Sequence, residues 1–175
     1  KELARDVERL EKVTERFSRI GSKPALEKEN IVELISRSVD YLKSRTSSKV
    51  EFIVDYKLGK EVIVSVNSAL FEWVIENVLK NAIDSMEGNG QIIVFILETE
   101  KTVSIDISDT GKGIPKSSFN KIFTPGFTTK QRGWGLGLSL AKRIIEEYHN
   151  GRILVRHSEM GKGSCIRIEM NRDKT

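Results

Sequence analysis

Two asparagines four residues apart, Asn77 and Asn81, stand in a stretch whose apolar positions follow a helical period. At that spacing both amides share one helix face, one turn apart. Val74, Ile75 and Val78 cover the adjoining face. Two neutral amide oxygens so placed suit a hard cation such as Mg2+, which takes oxygen donors and keeps several waters. They suit a solvated polar face as well. Asn is a mediocre helix former, so two of them in mid-helix favour the ligand role. Glu76, beside Asn77, is a candidate base or orienting group, or else a structural carboxylate.

A second candidate is Asp109, which opens Asp-Thr-Gly-Lys-Gly-Ile-Pro115. The alternating run Val103-Ser-Ile-Asp-Ile-Ser leads into it, so the carboxylate sits where a strand ends. Gly111 and Gly113 allow backbone to approach a ligand with no Cβ in the way. A carboxylate there accepts from an amino group such as the exocyclic amine of adenine. Taken alone the segment is also a plain turn signal.

Gly133-Trp-Gly-Leu-Gly-Leu138 precedes a helix that starts near Leu136. Glycines leave backbone N–H groups available to phosphate, and a helix N-terminus adds a favourable dipole. This is not a Walker A loop, because Gly-Lys-Ser/Thr is absent, and Gly-x-Gly-x-Gly is spaced wrongly for a dinucleotide fingerprint. Between the two glycine-rich stretches, Phe119, Phe123 and Phe127 recur every four residues, followed by Lys130 and Arg132. The cations suit phosphate oxygens. The rings read either as core or as part of a lid hinged near Pro115 and Gly133, and Phe123 fits the core.

These groups need elements to hold them. Leu3, Val7, Leu10 and Phe17 give residues 1–20 a helical seam suited to packing on another helix. Gly21-Ser-Lys-Pro24 ends it and marks a domain boundary. The spacing predicts a helix over 29–45 with Asn30 as N-cap, strands over 50–56 and 62–66, and a long helix over 68–86. A strand hairpin follows over 91–98 and 102–109, then a polar, basic and aromatic stretch over 116–132. A helix over 136–148 and a closing strand pair over 153–157 and 164–170 complete the chain. Helices and strands alternate irregularly, which predicts an α/β (α+β) two-layer sandwich with helices on one face of a mixed sheet.

The bulk numbers narrow the class. With 29 basic and 25 acidic residues the net charge is +4, but the signs are interspersed and no basic stripe marks a nucleic-acid surface. The single cysteine, Cys165, excludes an internal disulfide and a cysteine metal cluster, and its apolar surroundings make it a buried thiol. No apolar run approaches the ~18 residues of a membrane span. The expectation is a cytoplasmic segment, whose parent protein could be anchored upstream.

Together these stretches resemble the ATP-binding catalytic domain of sensor histidine kinases, in the group shared with gyrase-type topoisomerases, Hsp90-type chaperones and MutL-type repair ATPases. The similarity covers nearly all of residues 22–175, with the motifs in the family's order. Asn77 and Asn81 match its N box; Asp109, Gly111 and Gly113 its first glycine box; Phe123 and Phe127 its F box. Gly133, Gly135 and Gly137 match its second glycine box, and Gly161-Lys-Gly-Ser164 looks like its last.

The resemblance implies a sheet of about five mostly antiparallel strands under about three helices, the Bergerat-type arrangement. It implies ATP and Mg2+ as cofactors. Asp109 would bind the adenine amine, Asn81 and Asn77 would coordinate Mg2+, and residues 133–137 would hold phosphates. Lys80, Lys130 or Arg132 would meet the phosphate charge, because Asp84 stands where lysine is frequent. Further implied contacts are Ile114, Thr128, Thr129, Leu136 and Leu138, and Ser164, whose hydroxyl would help to hold a water at the adenine. Residues 1–21 look like the end of the dimerisation and phosphotransfer helix. The implied partners are the dimerisation and phosphoacceptor helices of a homodimeric parent and a response-regulator receiver domain.

Three features depart from the pattern. No His-Glu/Asp acceptor sequence is present, and His149 and His157 fall at positions of structural residues. Trp134 replaces a small residue, and Asp84 replaces lysine. Two alternatives stand beside the kinase reading: another ATPase or serine kinase of the group, and a non-catalytic interaction module of the same fold. Position 77 is Asn where ATPases of the group place glutamate, which disfavours direct activation of water.

Overall fold

The structure, a computed structural model, describes residues 24–56, 61–129 and 135–172. The predicted helix over 1–20, and Lys130, Arg132, Gly133 and Trp134, lie outside the described residues.

Strand β1 (Glu27–Asn30) leads directly into helix α1 (Ile31–Lys43). The Asn30 side-chain oxygen caps α1 by accepting from Val32 N at 3.2 Å, and it also accepts from Val62 N at 3.1 Å. One amide oxygen thus starts a helix and ties it to the approach of β3 (Ile63–Val66), which pairs antiparallel with β1. Strand β1 carried no signal in the sequence, because Glu-Lys-Glu-Asn has no apolar alternation to betray an edge strand.

Helix α2 (Ser68–Ser85) follows, capped by Asn67, whose side chain accepts from Leu70 N at 3.1 Å. Leu70, Phe71, Val74, Ile75, Val78 and Leu79 are buried, because α2 packs on β4, β5 and β7 and also contacts α1 and the helix over Gly137–Arg143. The five-stranded sheet has the order β2-β4-β5-β7-β6, from β2 (Val50–Tyr56), β4 (Gly90–Glu98), β5 (Thr102–Asp109), β6 (Arg152–Glu159) and β7 (Gly163–Asn171). Strands β2 and β4 run parallel; the other pairings are antiparallel. Register places Ile105 opposite Ile168 and Ile107 opposite Ile166, all buried toward the helices. The same parity puts Asp109 and Ser164, a register pair, on that helix-covered face.

The third helix, α3 (Gly137–Arg143), passes into a π-helical turn at Ile144–Tyr148 instead of continuing as a regular α-helix. The turn ends at His149, which is buried. Its Nε2 accepts from Asn67 N at 3.0 Å, so the proton sits on Nδ1, which donates to Ile144 O at 2.9 Å. These bonds tie the end of the π turn to the start of α2. Burial lowers the His149 pKa and keeps the ring neutral, against the smaller effect of its backbone bonds.

On the other face of the sheet, Asp106 is buried and bound by Arg167 through Nε at 2.6 Å and Nη2 at 2.7 Å, and by Arg156. Burial works against its ionisation, but the Arg167 hydrogen bonds and the two guanidinium charges outweigh it and hold the carboxyl below its ordinary range. Cys165 is buried, as expected for a core thiol, and burial pushes its pKa up.

Candidate functional site

The site forms where the C-terminal half of α2, the end of β5 and the start of α3 meet. Asn77 and Asn81 are both half-buried and stacked on one face of α2. Each donates its Nδ2 to the carbonyl four residues back, Asn77 to Trp73 O at 2.9 Å and Asn81 to Asn77 O at 2.8 Å. Those bonds fix the amide orientation, with Nδ2 toward the helix backbone and the oxygen on the outer side. Gly137 comes up against this face: a Cβ on it would lie 2.7 Å from Asn77 Oδ1. Lys80 and Asp84 lie on α2 beside the pair, and Glu76 is buried, so it is not a solvated residue.

Asp109 ends β5 with both carboxylate oxygens engaged. Oδ1 accepts from Gly111 N at 2.8 Å and from Ser85 Oγ at 3.0 Å, and Oδ2 accepts from Ser164 Oγ at 2.6 Å. Three elements therefore aim one carboxylate: the end of α2, the turn after β5 and the start of β7. The turn itself is packed tightly. Lys112 N donates to Ser85 O at 3.1 Å, Gly161 N to Lys112 O at 2.8 Å, and Ile114 N to Ser158 Oγ at 2.7 Å. Gly113 has φ +79, and a Cβ there would lie 2.3 Å from Glu159 O, so only glycine fits.

The predicted lid region holds two short 3-10 turns, Lys116–Ser118 and Lys121–Phe123. Phe123 is buried and joins the core, with Lys142 Nζ 5.5 Å from its ring, while Phe119 and Phe127 are half-buried. Thr128, Thr129 and Leu136 are exposed, and Leu138 and Ile114 pack against the core. Gly135 (φ +64) accepts from Gly126 N at 3.0 Å, which holds the two sides of the loop together. The structure thus brings Asn77, Asn81, Gly137, Asp109, Gly111 and Ser164 into one neighbourhood. Lys130 and Gly133 fall outside the described residues.

Sequence reasoning missed Ser85. Its signal was present: Asn77, Asn81 and Ser85 continue a spacing of four down one side of α2. Among the described residues no three His, Cys, Asp or Glu side chains group as a metal site. The amide oxygens of Asn77 and Asn81, with water and a ligand's own oxygens, are a donor set that fits Mg2+. No helix among the described residues is long and apolar enough to cross a membrane.

Residues 66–174 match the family model described as histidine kinase-, DNA gyrase B- and HSP90-like ATPase. Nitrogen regulation protein NtrY of Azorhizobium caulinodans is 28% identical over 172 residues, covering 94% of this chain and 22% of its own length. Sporulation kinase E of Bacillus subtilis is 31% identical over 169 residues, again 94% of this chain and 22% of the relative. The chain thus spans under a quarter of either relative. Among solved structures, the catalytic domain of histidine kinase ThkA superposes with a TM-score of 0.77 at 27% identity, over 85% of this chain and 97% of that one. The chain belongs to the histidine kinase-, DNA gyrase B- and HSP90-like ATPase family, within which it is a histidine kinase ATPase catalytic domain.

Proposed function

We propose that residues 22–175 bind ATP with Mg2+ and present the γ-phosphate to a histidine on a dimerisation helix, of which residues 1–21 are the C-terminal part. In this reading the parent protein is homodimeric and passes the phosphoryl group on to a response-regulator receiver domain. A kinase–response regulator complex exists for the structural neighbour ThkA, with TrrA. Asp109 receives the adenine amine, and Ser164 holds the carboxylate from the β7 side. Asn81 and Asn77 supply neutral oxygens to Mg2+, which when bound neutralises phosphate charge. The α3 N-terminus and the glycines before it offer backbone N–H groups to phosphate.

The observation that carries the reading is the carboxylate of Asp109, held by three donors on the face of the sheet beneath the helix that bears Asn77 and Asn81. The chemistry asked of this chain is positioning and charge neutralisation rather than covalent catalysis. His149 is buried with both ring nitrogens hydrogen-bonded, which supports an acceptor elsewhere.

Calorimetric titration with ADP and a non-hydrolysable ATP analogue, with and without Mg2+, tests the reading. Mg2+-dependent binding that falls at least about tenfold in Asp109→Asn is the expected result, the cost of a lost charge-assisted hydrogen bond. Absence of binding under every condition would refute it and favour the interaction module.

A further inference from the structure

Ser85 sits at the last turn of α2, four residues beyond Asn81, and its hydroxyl has two acceptors in reach. One is Ala82 O at 2.8 Å, within its own helix; the other is Asp109 Oδ1 at 3.0 Å, 24 residues away. Both acceptors compete for one proton, and an ionised carboxylate makes the stronger bond. The space around this hydroxyl is reserved for it: a Cβ on Gly111 would lie 1.9 Å from Ser85 Oγ and 2.7 Å from Ser85 Cβ. The backbone seals the same junction, because Lys112 N donates to Ser85 O at 3.1 Å.

The two carboxylate oxygens of Asp109 are consequently unequal. Each ionised oxygen offers about two lone-pair positions. Oδ1 fills both, with Gly111 N and Ser85 Oγ, whereas among the described residues Oδ2 has Ser164 Oγ alone. We propose that Ser85 is a positioning residue for base recognition. By saturating Oδ1 it fixes the carboxylate plane, so that Oδ2 is the atom presented to an incoming amino group on a purine. The same hydroxyl makes the C-terminus of α2, the helix carrying Asn77 and Asn81, part of the base-recognition site. This inference rests on the nucleotide-binding reading above and adds to it the atom that reads the base.

The test uses the full 175-residue chain, two probes and two variants. The probes are ADP and the corresponding purine riboside diphosphate, which lacks the 6-amino group. Without Ser85 Oγ one of the three bonds that hold the carboxylate is lost and Oδ1 regains an open lone pair, so the plane is less well fixed and Ser85→Ala should weaken ADP about 5- to 20-fold, the range for losing one hydrogen bond to a charged group. The deaminated analogue should change less than about twofold. Equal losses on both probes would overturn the proposal, since packing damage does not distinguish them. No loss on ADP in Ser85→Ala, alongside collapse in Asp109→Asn, would overturn it and leave the nucleotide site standing. Unchanged ADP affinity in Asp109→Asn would instead remove the base anchor itself. Thermal unfolding checks that Ser85→Ala folds. Should it not fold, Ser85→Cys, close in size and a weak donor, carries the same two-probe comparison, with a selective loss on ADP expected and an equal loss refuting.

Discussion

Gly137→Ala separates stability from ligand binding at one atom. Gly137 is the first residue of α3, and its backbone is not in the left-handed region. Alanine there should gain up to about 1 kcal/mol of helix propensity. Its Cβ, however, would stand 2.7 Å from Asn77 Oδ1, well inside the roughly 3.5–4.0 Å of ordinary carbon contact. The backbone of α3 is anchored by Leu140 N donating to Leu136 O at 3.0 Å, so the side chain of Asn77 must yield. Turning that amide sacrifices its bond to Trp73 O, worth about 0.5–1.5 kcal/mol net. Gain and loss nearly cancel, so urea unfolding should shift by less than about 1 kcal/mol.

Binding should not be spared. In the proposed site, displacing Asn77 Oδ1 removes one ligand oxygen, costing about 1–2 kcal/mol, or roughly 5- to 30-fold in affinity for the Mg2+–ATP analogue complex. Calorimetry with and without Mg2+ reads the effect. Loss should be largest with Mg2+ present. Wild-type affinity in Gly137→Ala would refute the placement of Asn77 at the ligand, and a stability loss well above 2 kcal/mol would refute the cancellation.

Two further predictions concern groups that hold the scaffold. The lowered pKa of His149 means the unfolded chain takes up its proton first, at about 6.5, so stability falls as pH drops below that value. The slope contributed is at most about 1.4 kcal/mol per pH unit, and it should be absent from His149→Gln; parallel stability–pH curves would refute the assignment. Asp106→Asn leaves Arg167 without its two-point partner and should cost about 2–4 kcal/mol by urea denaturation at neutral pH. Since the folded carboxyl titrates below its usual 3.8, the difference between wild type and variant should shrink as pH falls through the folded pKa. A difference that grows in acid would contradict the ion-pair account.

The sequence carried α1, α2 and the strand hairpin to within a residue or two, because each exposes its own period: Leu34, Ile35, Val39 and Leu42 on a helix, Val103, Ile105 and Ile107 on a strand. Caps were equally local, as Asn30 shows. The glycine-rich stretches and the asparagine pair were visible as motifs for the same reason, since each is written within seven residues or fewer. Strand β1 was not, because Glu27–Asn30 has no apolar alternation and its strand character shows only in its pairing with β3. Nor was the π turn, which ends at His149, where the ring accepts from Asn67 N, 82 residues away.

What the amino-acid order determined alone is therefore which residues share a face and which turns are permitted. Asn77 and Asn81 are neighbours on any helix that contains them, and the alternation up to Asp109 followed by Gly111 and Gly113 marks a strand end. Only the tertiary structure decided that Ser85 and Ser164 would close on Asp109 from two sides, that Asn77 would face Gly137, and that two arginines would neutralise Asp106. Those contacts join residues 24 to 61 positions apart. Local periodicity can make such groups available but cannot pair them. The pairing comes from sheet register and from the burial of α2, which bring each donor within reach of an acceptor that water would otherwise occupy.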